Sequence, residues 1–322
     1  MKAIVVSKTG GPEVLEWRDH DPGAPGPGQA RIAVRAAGVN FIDVYFRTGL
    51  YPRPLPFVSG LEGAGVVEAL GPGASGLAVG DRVAWASAPG SYAEKVVAPV
   101  DRLVKVPAGI ADDVAAASML QGMTAHYLCR STFPAKRGDT ALVHAAAGGV
   151  GLLLVQMLHA LGATVIATCS TGDKEKLARE AGAAHVIRYG EVEFQPEVRK
   201  LTNGRGVDVV YDAVGRTTFE GSLRSLRPRG MLVLYGQSSG PVAPFELRLL
   251  NDLGSLFITR PSLAHYTADR AELELRAGEV LGAVAAGKLQ VRIGARFPLA
   301  DAGAAHGALE GRATTGKVVL TP

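Results

Sequence analysis

The residues of this 322-residue chain whose types and spacing could do chemistry begin with one run, Ala146-Ala147-Gly148-Gly149-Val150-Gly151. It reads as a G-x-G-x-x-G fingerprint with alanine in the first place. In that pattern Gly148 lets the backbone approach a pyrophosphate and Gly151 lets a helix sit close against a strand. The N–H groups at the helix N-terminus then hold the phosphates. Cofactor contacts are therefore expected from Ala147, Gly148, Gly149 and Val150, and from Thr124, where the nucleotide-binding region begins. Further along, a site for NAD normally ends the next strand in Asp or Glu, which takes the ribose 2′-OH. Here the chain reads Cys169-Ser170-Thr171-Gly172, followed by Asp173 and Lys174. A hydroxyl and an ammonium would hold a 2′-phosphate that a carboxylate would repel, so the expected cofactor is NADP(H). Asp173 keeps the NAD role open.

These groups need elements to position them. From Thr140 to Gly172 no Asp, Glu, Lys or Arg occurs, which raises the question of a membrane span. A span needs about 20 apolar residues without breakers, whereas "AAAGGVG" and "LGAT" interrupt this run where turns are wanted. The pattern is a strand at Leu142–Val143, a helix from Gly149 to Leu161 closed by Gly162, and a strand over Thr164–Thr168. Its strands are apolar because a parallel sheet carries helices on both faces. The alternation continues through "DKEKLAREAGA" (helix), "HVIRY" (strand), "EVRKLTNGRG" (helix end), "VDVVYDAVG" (strand), "TFEGSLRSLRPRG" (helix), "MLVLYG" and "SLFITR" (strands). Six strands with intervening helices predict a doubly wound, Rossmann-type parallel sheet over residues 124–261. Residues 1–110 instead alternate short strands with Gly/Pro turns, and the tail "GKVVLTP" adds another strand. The fold class expected is α/β, with a second, β-rich domain made of residues 1–123 and 262–322.

Composition excludes several function classes. With 47% hydrophobic and 20% charged residues the chain is globular in type. No secretory or transit signal is read in "MKAIVVSKTGGPEV", and the two cysteines, Cys129 and Cys169, make no disulfide framework, so the cytoplasm is expected. The net charge of +4 comes from scattered Lys and Arg, densest at "RSLRPRG", which reads as a solvated helix end. Nucleic-acid binding is not expected as the main role, because no RNP-like aromatic motif or Arg-rich run accompanies the charge. "GQSSG" (Gly236 to Gly240) matches a hydrolase elbow, and Asp252 and His265 follow in the required order. Pro241 and Pro244 stand where the elbow must enter a helix, which removes that reading.

With "NFIDVYFRTGLYP", "HAAAGGVGLLLVQ", "VVYDAVGR", "YGQSSG" and "FITRPSL" in view, the chain resembles the quinone oxidoreductase, or zeta-crystallin-like, branch of the medium-chain dehydrogenase/reductases over nearly its whole length. The resemblance implies a GroES-like catalytic domain, an NADPH-preferring Rossmann domain, a cleft between them, a quinone or activated-alkene substrate and a homodimer. It also implies that Asn40, Asp43, Tyr45 and Tyr51 line the nicotinamide pocket. Ser170, Lys174 and Tyr189 would surround the 2′-phosphate, and Gly236, Ser238 and Thr315 would lie along the cofactor. Tyr51 reads equally as the acid that protonates the reduced acceptor and as an aromatic wall. Asn40 and Asp43 read as turn formers by residue type and as pocket groups by resemblance. No metal is expected: Gly60-Leu61-Glu62 stands where zinc-dependent relatives offer a histidine, and leucine cannot bind zinc. The dimer is expected through Ser255–Arg260, a charge-poor edge strand.

Overall fold

The structure, a computed structural model, describes residues 1–322. The chain divides into one unit of Met1–Met123 with Thr267–Pro322 and a second of Thr124–Tyr266.

The first unit is built on antiparallel pairing. Strands β1 (Lys2–Val6) and β2 (Leu15–Asp19) precede the long β3 (Gln29–Val39), which runs into helix α1 (Phe41–Thr48). Then come β4 (Phe57–Val58), β5 (Glu62–Leu70), β6 (Arg82–Trp85), β7 (Lys95–Pro99) and β8 (Val104–Lys105). Helix α2 (Asp112–Tyr127) carries the chain into the second unit. A seven-stranded sheet centres on β3 and β5, and β1 joins β2 and β4 in a smaller one. β3 alternates inward and outward at first and becomes continuously buried toward Val39, so its end delivers Asn40 into the interior.

In the second unit β9 (Thr140–Val143), α3 (Gly149–Ala160), β10 (Thr164–Cys169), α4 (Gly172–Glu180), β11 (His185–Arg188), α5 (Phe194–Leu201), β12 (Val207–Asp212), α6 (Phe219–Ser225), β13 (Leu226–Leu234), α7 (Arg248–Asp252) and β14 (Phe257–Thr259) follow in turn. Every strand pair is parallel, in the order β11-β10-β9-β12-β13-β14. This is the doubly wound order of a Rossmann sheet, whose ligand edge lies at the carboxyl ends of the strands. Helices on both faces explain why β9 and β12 are mostly apolar and buried: Leu142, Ile166, Val210, Leu223 and Leu232 form the core between them. The uncharged run is thus β9, its turn, α3 and β10, and no helix is long and apolar enough to cross a membrane. The chain then returns to the first unit through α8 (Arg270–Ala285), β15 (Ile293–Pro298), α9 (Ala302–Glu310) and β16 (Lys317–Thr321).

One local reading is corrected. "RSLRPRG" is not a helix end: α6 stops at Ser225, and Leu226 already pairs with Val207. Pro228 has no N–H to give a helix and disfavours helical geometry at Arg227. Arg227 is accordingly turned to Asp208, with Nε donating to Oδ1 at 2.6 Å. Helix α1 lies in the stretch where short strands and turns were expected, and α2, α8 and α9 lie in segments to which no element was assigned.

Candidate functional site

The two units each carry a cluster of polar and glycine-rich structure. In the second unit the cluster lies on the carboxyl edge of the parallel sheet. After β9 the chain turns sharply at Ala145, a non-glycine residue in the left-handed region at φ 52°. The turn is stitched to both neighbouring strands: His144 N–H donates to Tyr211 O at 3.0 Å and Ala146 N–H to Thr168 O at 3.1 Å. Gly148 is the N-cap of α3 and has no side chain to cap it, so the first-turn N–H groups are left for an outside acceptor. A Cβ on Gly151 would fall 2.7 Å from Ala146 Cα and closer still to Ala145 O. Only glycine allows the helix to start this near the turn, as a dinucleotide cradle requires.

The same edge gathers the other expected residues of this unit. Ser170 follows β10, Thr171 caps α4 by accepting from Lys174 N–H at 3.4 Å, and Tyr189 N–H donates to Cys169 O at 3.2 Å. Ser170, Lys174 and the 44%-exposed Tyr189 therefore share the end of the β10–β11 pair. Asp173 is also there, exposed on the first turn of α4. Gly236 and Ser238 follow β13, where Ser238 N–H donates to Ala213 O and a Cβ on Gly236 would lie 2.9 Å from Ala213 Cα. Thr124 is buried at the beginning of the unit.

Two residues that hold this edge together were not singled out in the sequence. Asp212, at the end of β12, accepts from Val214 and Gly215 N–H and from the hydroxyls of Thr218 and Ser222. Because the Ser222 hydroxyl donates to Asp212, it accepts from His144 Nε2 at 3.0 Å, and Nδ1 then accepts from Thr168 Oγ1 at 2.9 Å. Burial lowers the pKa of His144 and keeps it neutral. The imidazole thus braces β9, β10 and α6 directly behind the turn. The signal was a charged residue ending the strand "VDVVYD" and a histidine at the end of the strand before the glycine run.

The first unit carries a buried charge network. Asn40 is wholly engaged: its amide donates to Glu62 Oε2 at 2.8 Å, and its Oδ1 accepts from Lys317 Nζ at 2.7 Å and from Gln121 at 3.4 Å. Lys317 also pairs with Glu62, and both are buried. Gly38 makes room for the pair, since a Cβ there would lie 2.7 Å from Lys317 Cε. Asp43 Oδ2 accepts from Asn40 N–H at 2.9 Å and from Tyr92 Oη at 3.0 Å. Tyr92 in turn accepts from His306 Nε2 at 3.2 Å, and Arg47 donates to His306 Nδ1 at 3.3 Å and bidentately to Glu310 at 2.9 Å. From Arg47 through His306 and Tyr92 the donors run toward Asp43. Burial nevertheless raises the Asp43 pKa to about 7, opposed by these hydrogen bonds and by Lys317. Burial and the Arg47 charge hold His306 down at about 3, so it stays a neutral link. Asp43 Oδ1 is buried with no partner.

Tyr45 and Tyr51 are brought together, ring edge to face at 5.2 Å, and Tyr51 N–H donates to Tyr45 O at 3.0 Å. Phe41 and Phe46 pack on the pair. Thr315 lies in the loop before β16, accepting from Arg292 Nε at 3.3 Å. The residues around Glu62 do not fit a zinc ion. Leu61 offers no donor, and the Glu62 carboxylate already takes the Lys317 ammonium and the Leu120 N–H at 2.6 Å.

A β-rich unit with this buried network and a Rossmann unit with a glycine-lined phosphate cradle define a medium-chain dehydrogenase/reductase. Two family models agree: an alcohol dehydrogenase GroES-like domain matches residues 26–108 and a zinc-binding dehydrogenase model matches residues 149–267. Within that class the chain belongs to the quinone oxidoreductase family. It is 47% identical to the quinone oxidoreductase of Pseudomonas aeruginosa over 100% of this chain and 99% of that protein. It is 46% identical to a 2-haloacrylate reductase of a Burkholderia species over 99% of this chain and 98% of that one. The solved structure of Escherichia coli quinone oxidoreductase complexed with NADPH superimposes with a TM-score of 0.98 at 42% identity, covering 100% of both chains.

Proposed function

We propose that this protein is an NADPH:quinone oxidoreductase that works without a metal. The observation that carries the reading is the cradle at Gly148–Gly151, where a side chain on Gly151 has no room and the N-cap of α3 supplies no side-chain acceptor to the first-turn N–H groups, in a chain alike end to end to quinone oxidoreductases. When bound, NADPH supplies the hydride. The α3 N-terminus would hold the pyrophosphate through Ala147, Gly148, Gly149 and Val150. Ser170 and Lys174, with Tyr189 beside them, would take the 2′-phosphate, and Gly236, Ser238 and Thr124 would complete the binding surface of this unit; Thr315, in the other unit, is a cofactor contact on the family resemblance alone.

In the other unit Tyr45 and Tyr51 offer an aromatic wall for a planar acceptor, which is what orientation of the reaction needs. Asp43, titrating near neutrality, is suited to hold the proton that the reduced acceptor must gain, and Tyr51 is the second acid in reach of that wall. Asn40 serves by fixing Asp43 and the Glu62–Lys317 pair. That ammonium stands beside Asn40 and Glu62, which supports a metal-free mechanism.

An activated alkene is the second reading of the acceptor, favoured by the similarity to a 2-haloacrylate reductase. Steady-state oxidation of NADPH with a panel of quinones, enones and crotonyl-CoA tests both. Turnover of enones or thioesters without quinones replaces the first reading by the second, and preference for NADH overturns the assignment of Ser170 and Lys174. We further infer a homodimer through Ser255–Arg260. β14 is the outermost strand of its sheet, and Phe257 on it and the nearby Leu247 are 57% and 73% exposed. Two free, buried cysteines suit the reducing cytoplasm.

A further inference from the structure

Arg53 stands apart from the buried and half-buried arginines that an acid holds. Arg47 grips Glu310, Arg82 grips Asp112, Arg227 grips Asp208 and Arg276 grips Glu272. Arg53 is half-buried as well, yet its guanidinium has neither a carboxylate nor a carbonyl partner. It is clamped between two aromatic rings instead, its Cζ 4.6 Å from the Phe57 centroid and 5.3 Å from that of Phe46. Such stacking fixes the plane of the guanidinium while leaving its N–H fork free for a carboxylate, sulfonate or phosphate. Partial burial disfavours the bare charge, so an anion there would meet a cation short of solvent. His20 and Lys95 are the other titratable groups that line its pocket, and Asp43 is the acid whose charge reaches it. Arg53 lines an open pocket with His20, Val58, Gly90 and Lys95, and the Lys95 ammonium is already committed to Glu68 at 2.8 Å. Arg53 is therefore the strong cation of that pocket that no acid binds directly, the Asp43 carboxyl acting on it through its charge alone. Its place relative to the aromatic wall is set by a single ring: Phe46 meets Tyr51 edge-on at 6.1 Å and also carries Arg53.

We propose that Arg53 is a specificity residue that recognises an acidic group on the acceptor, so that the preferred acceptors carry a carboxylate, sulfonate or phosphate beside the electrophilic carbon skeleton. This rests on the proposed quinone or activated-alkene reductase activity, and it narrows the substrate class of that site to anionic acceptors.

The test compares wild type with Arg53→Gln, which keeps the length of the side chain and removes its charge. Reduction of 1,4-naphthoquinone and of 1,2-naphthoquinone-4-sulfonate by NADPH is measured at fixed, low ionic strength. The variant is expected to raise KM for the sulfonated acceptor on the order of tenfold, as loss of one charge-assisted contact does. KM for the neutral quinone and both kcat values should stay unchanged. Equal changes for the two acceptors, or no change for either, overturn the proposal. Inorganic phosphate is expected to compete with the sulfonated acceptor in wild type and to leave the neutral one alone. Phosphate that alters turnover of the neutral quinone through Arg53 assigns the site to a free anion instead and overturns the proposal. A second arm does not depend on turnover: calorimetric binding of 2-naphthalenesulfonate should weaken about tenfold in Arg53→Gln. If neither quinone is reduced by wild type, the functional reading fails while this arm still decides the site. Unchanged sulfonate binding then removes Arg53 as an anion-recognition residue.

Discussion

Replacing Gly151 by alanine adds one methyl group at the most crowded point of the proposed phosphate cradle. Its Cβ would lie 2.7 Å from Ala146 Cα and 2.8 Å from the Ala146 carbonyl carbon, both backbone atoms, where ordinary contact begins at 3.4 Å. The turn has little freedom to retreat, since Ala145 already holds φ 52° and Ala146 is bonded to Thr168 O. The start of α3 must therefore move away by something close to 1 Å, and overpacking of this kind costs about 1–3 kcal/mol of stability. A displacement of that size also misaligns the first-turn N–H groups. Losing the better part of one charge-assisted hydrogen bond to phosphate, about 1.5–3 kcal/mol, weakens binding by roughly 10- to 150-fold. The assay is fluorescence titration of NADPH on wild type and Gly151→Ala at fixed ionic strength, with thermal denaturation of both. Gly282→Ala is the control: Gly282 sits within α8 with nothing within 4 Å of the added methyl. It should gain up to about 1 kcal/mol from helix propensity and leave binding untouched. A Gly151→Ala protein that binds NADPH within threefold of wild type and melts at the same temperature would refute the reasoning from close approach.

Lys174→Ala should weaken NADPH by roughly 10- to 150-fold and leave NADH nearly unchanged, because only the former has the 2′-phosphate; dissociation constants for both cofactors check it. Equal losses would mean a disturbed fold. The raised pKa of Asp43, from 3.8 to about 7, makes its contribution to stability fall as pH rises through that window, since the native state keeps a proton that the unfolded chain has lost. The lowered pKa of His306, from 6.5 to about 3, makes its contribution fall as pH drops through the overlapping window, because the unfolded chain gains a proton that the native state refuses. The two slopes, each about 1.4 kcal/mol per pH unit, oppose one another, so Asp43→Asn should lose about 3 kcal/mol more than wild type on acidification from roughly pH 6.5 to 4.5. Parallel denaturation curves for the two proteins would contradict this. Lys317→Met leaves Glu62 buried without its cation and should cost about 3–5 kcal/mol, much of it recovered in the double variant with Glu62→Gln; urea unfolding of the four proteins measures the coupling. Phe257→Glu should turn a dimer into monomers at micromolar concentration in sedimentation, and a wild type that is already monomeric removes the edge-strand interface.

Where function is made by backbone, the sequence was readable; where it is made by side chains meeting across distant segments, it was not. Gly148 and Gly151 reveal themselves locally, because a turn that must pass close to a helix tolerates no Cβ and the apolar strands on either side announce a parallel sheet. "LRPRG" misled for the complementary reason. Leucine and arginine propensities favour a helix, while Pro228 and the long-range pairing of Leu226 with Val207 decide for a strand. The buried network lies beyond local patterns altogether. Asn40 and Asp43 stand three residues apart and look like turn formers, and one of them does accept the Asn40 N–H at the start of α1. Their electrostatic character comes from Glu62, Tyr92, His306 and Lys317, brought in by β5, the loop before β7, α9 and β16. His306 and Lys317 are more than 210 positions from the residues of this network that they touch. A lysine in "GKVVLTP" resembles any solvated strand start until β16 pairs with the end of β3 and lays it against Glu62. The acid–base behaviour of this half of the candidate site is therefore a property of topology. Substitutions in the last twenty residues of the chain should reach the Asp43 equilibrium as directly as those in α1.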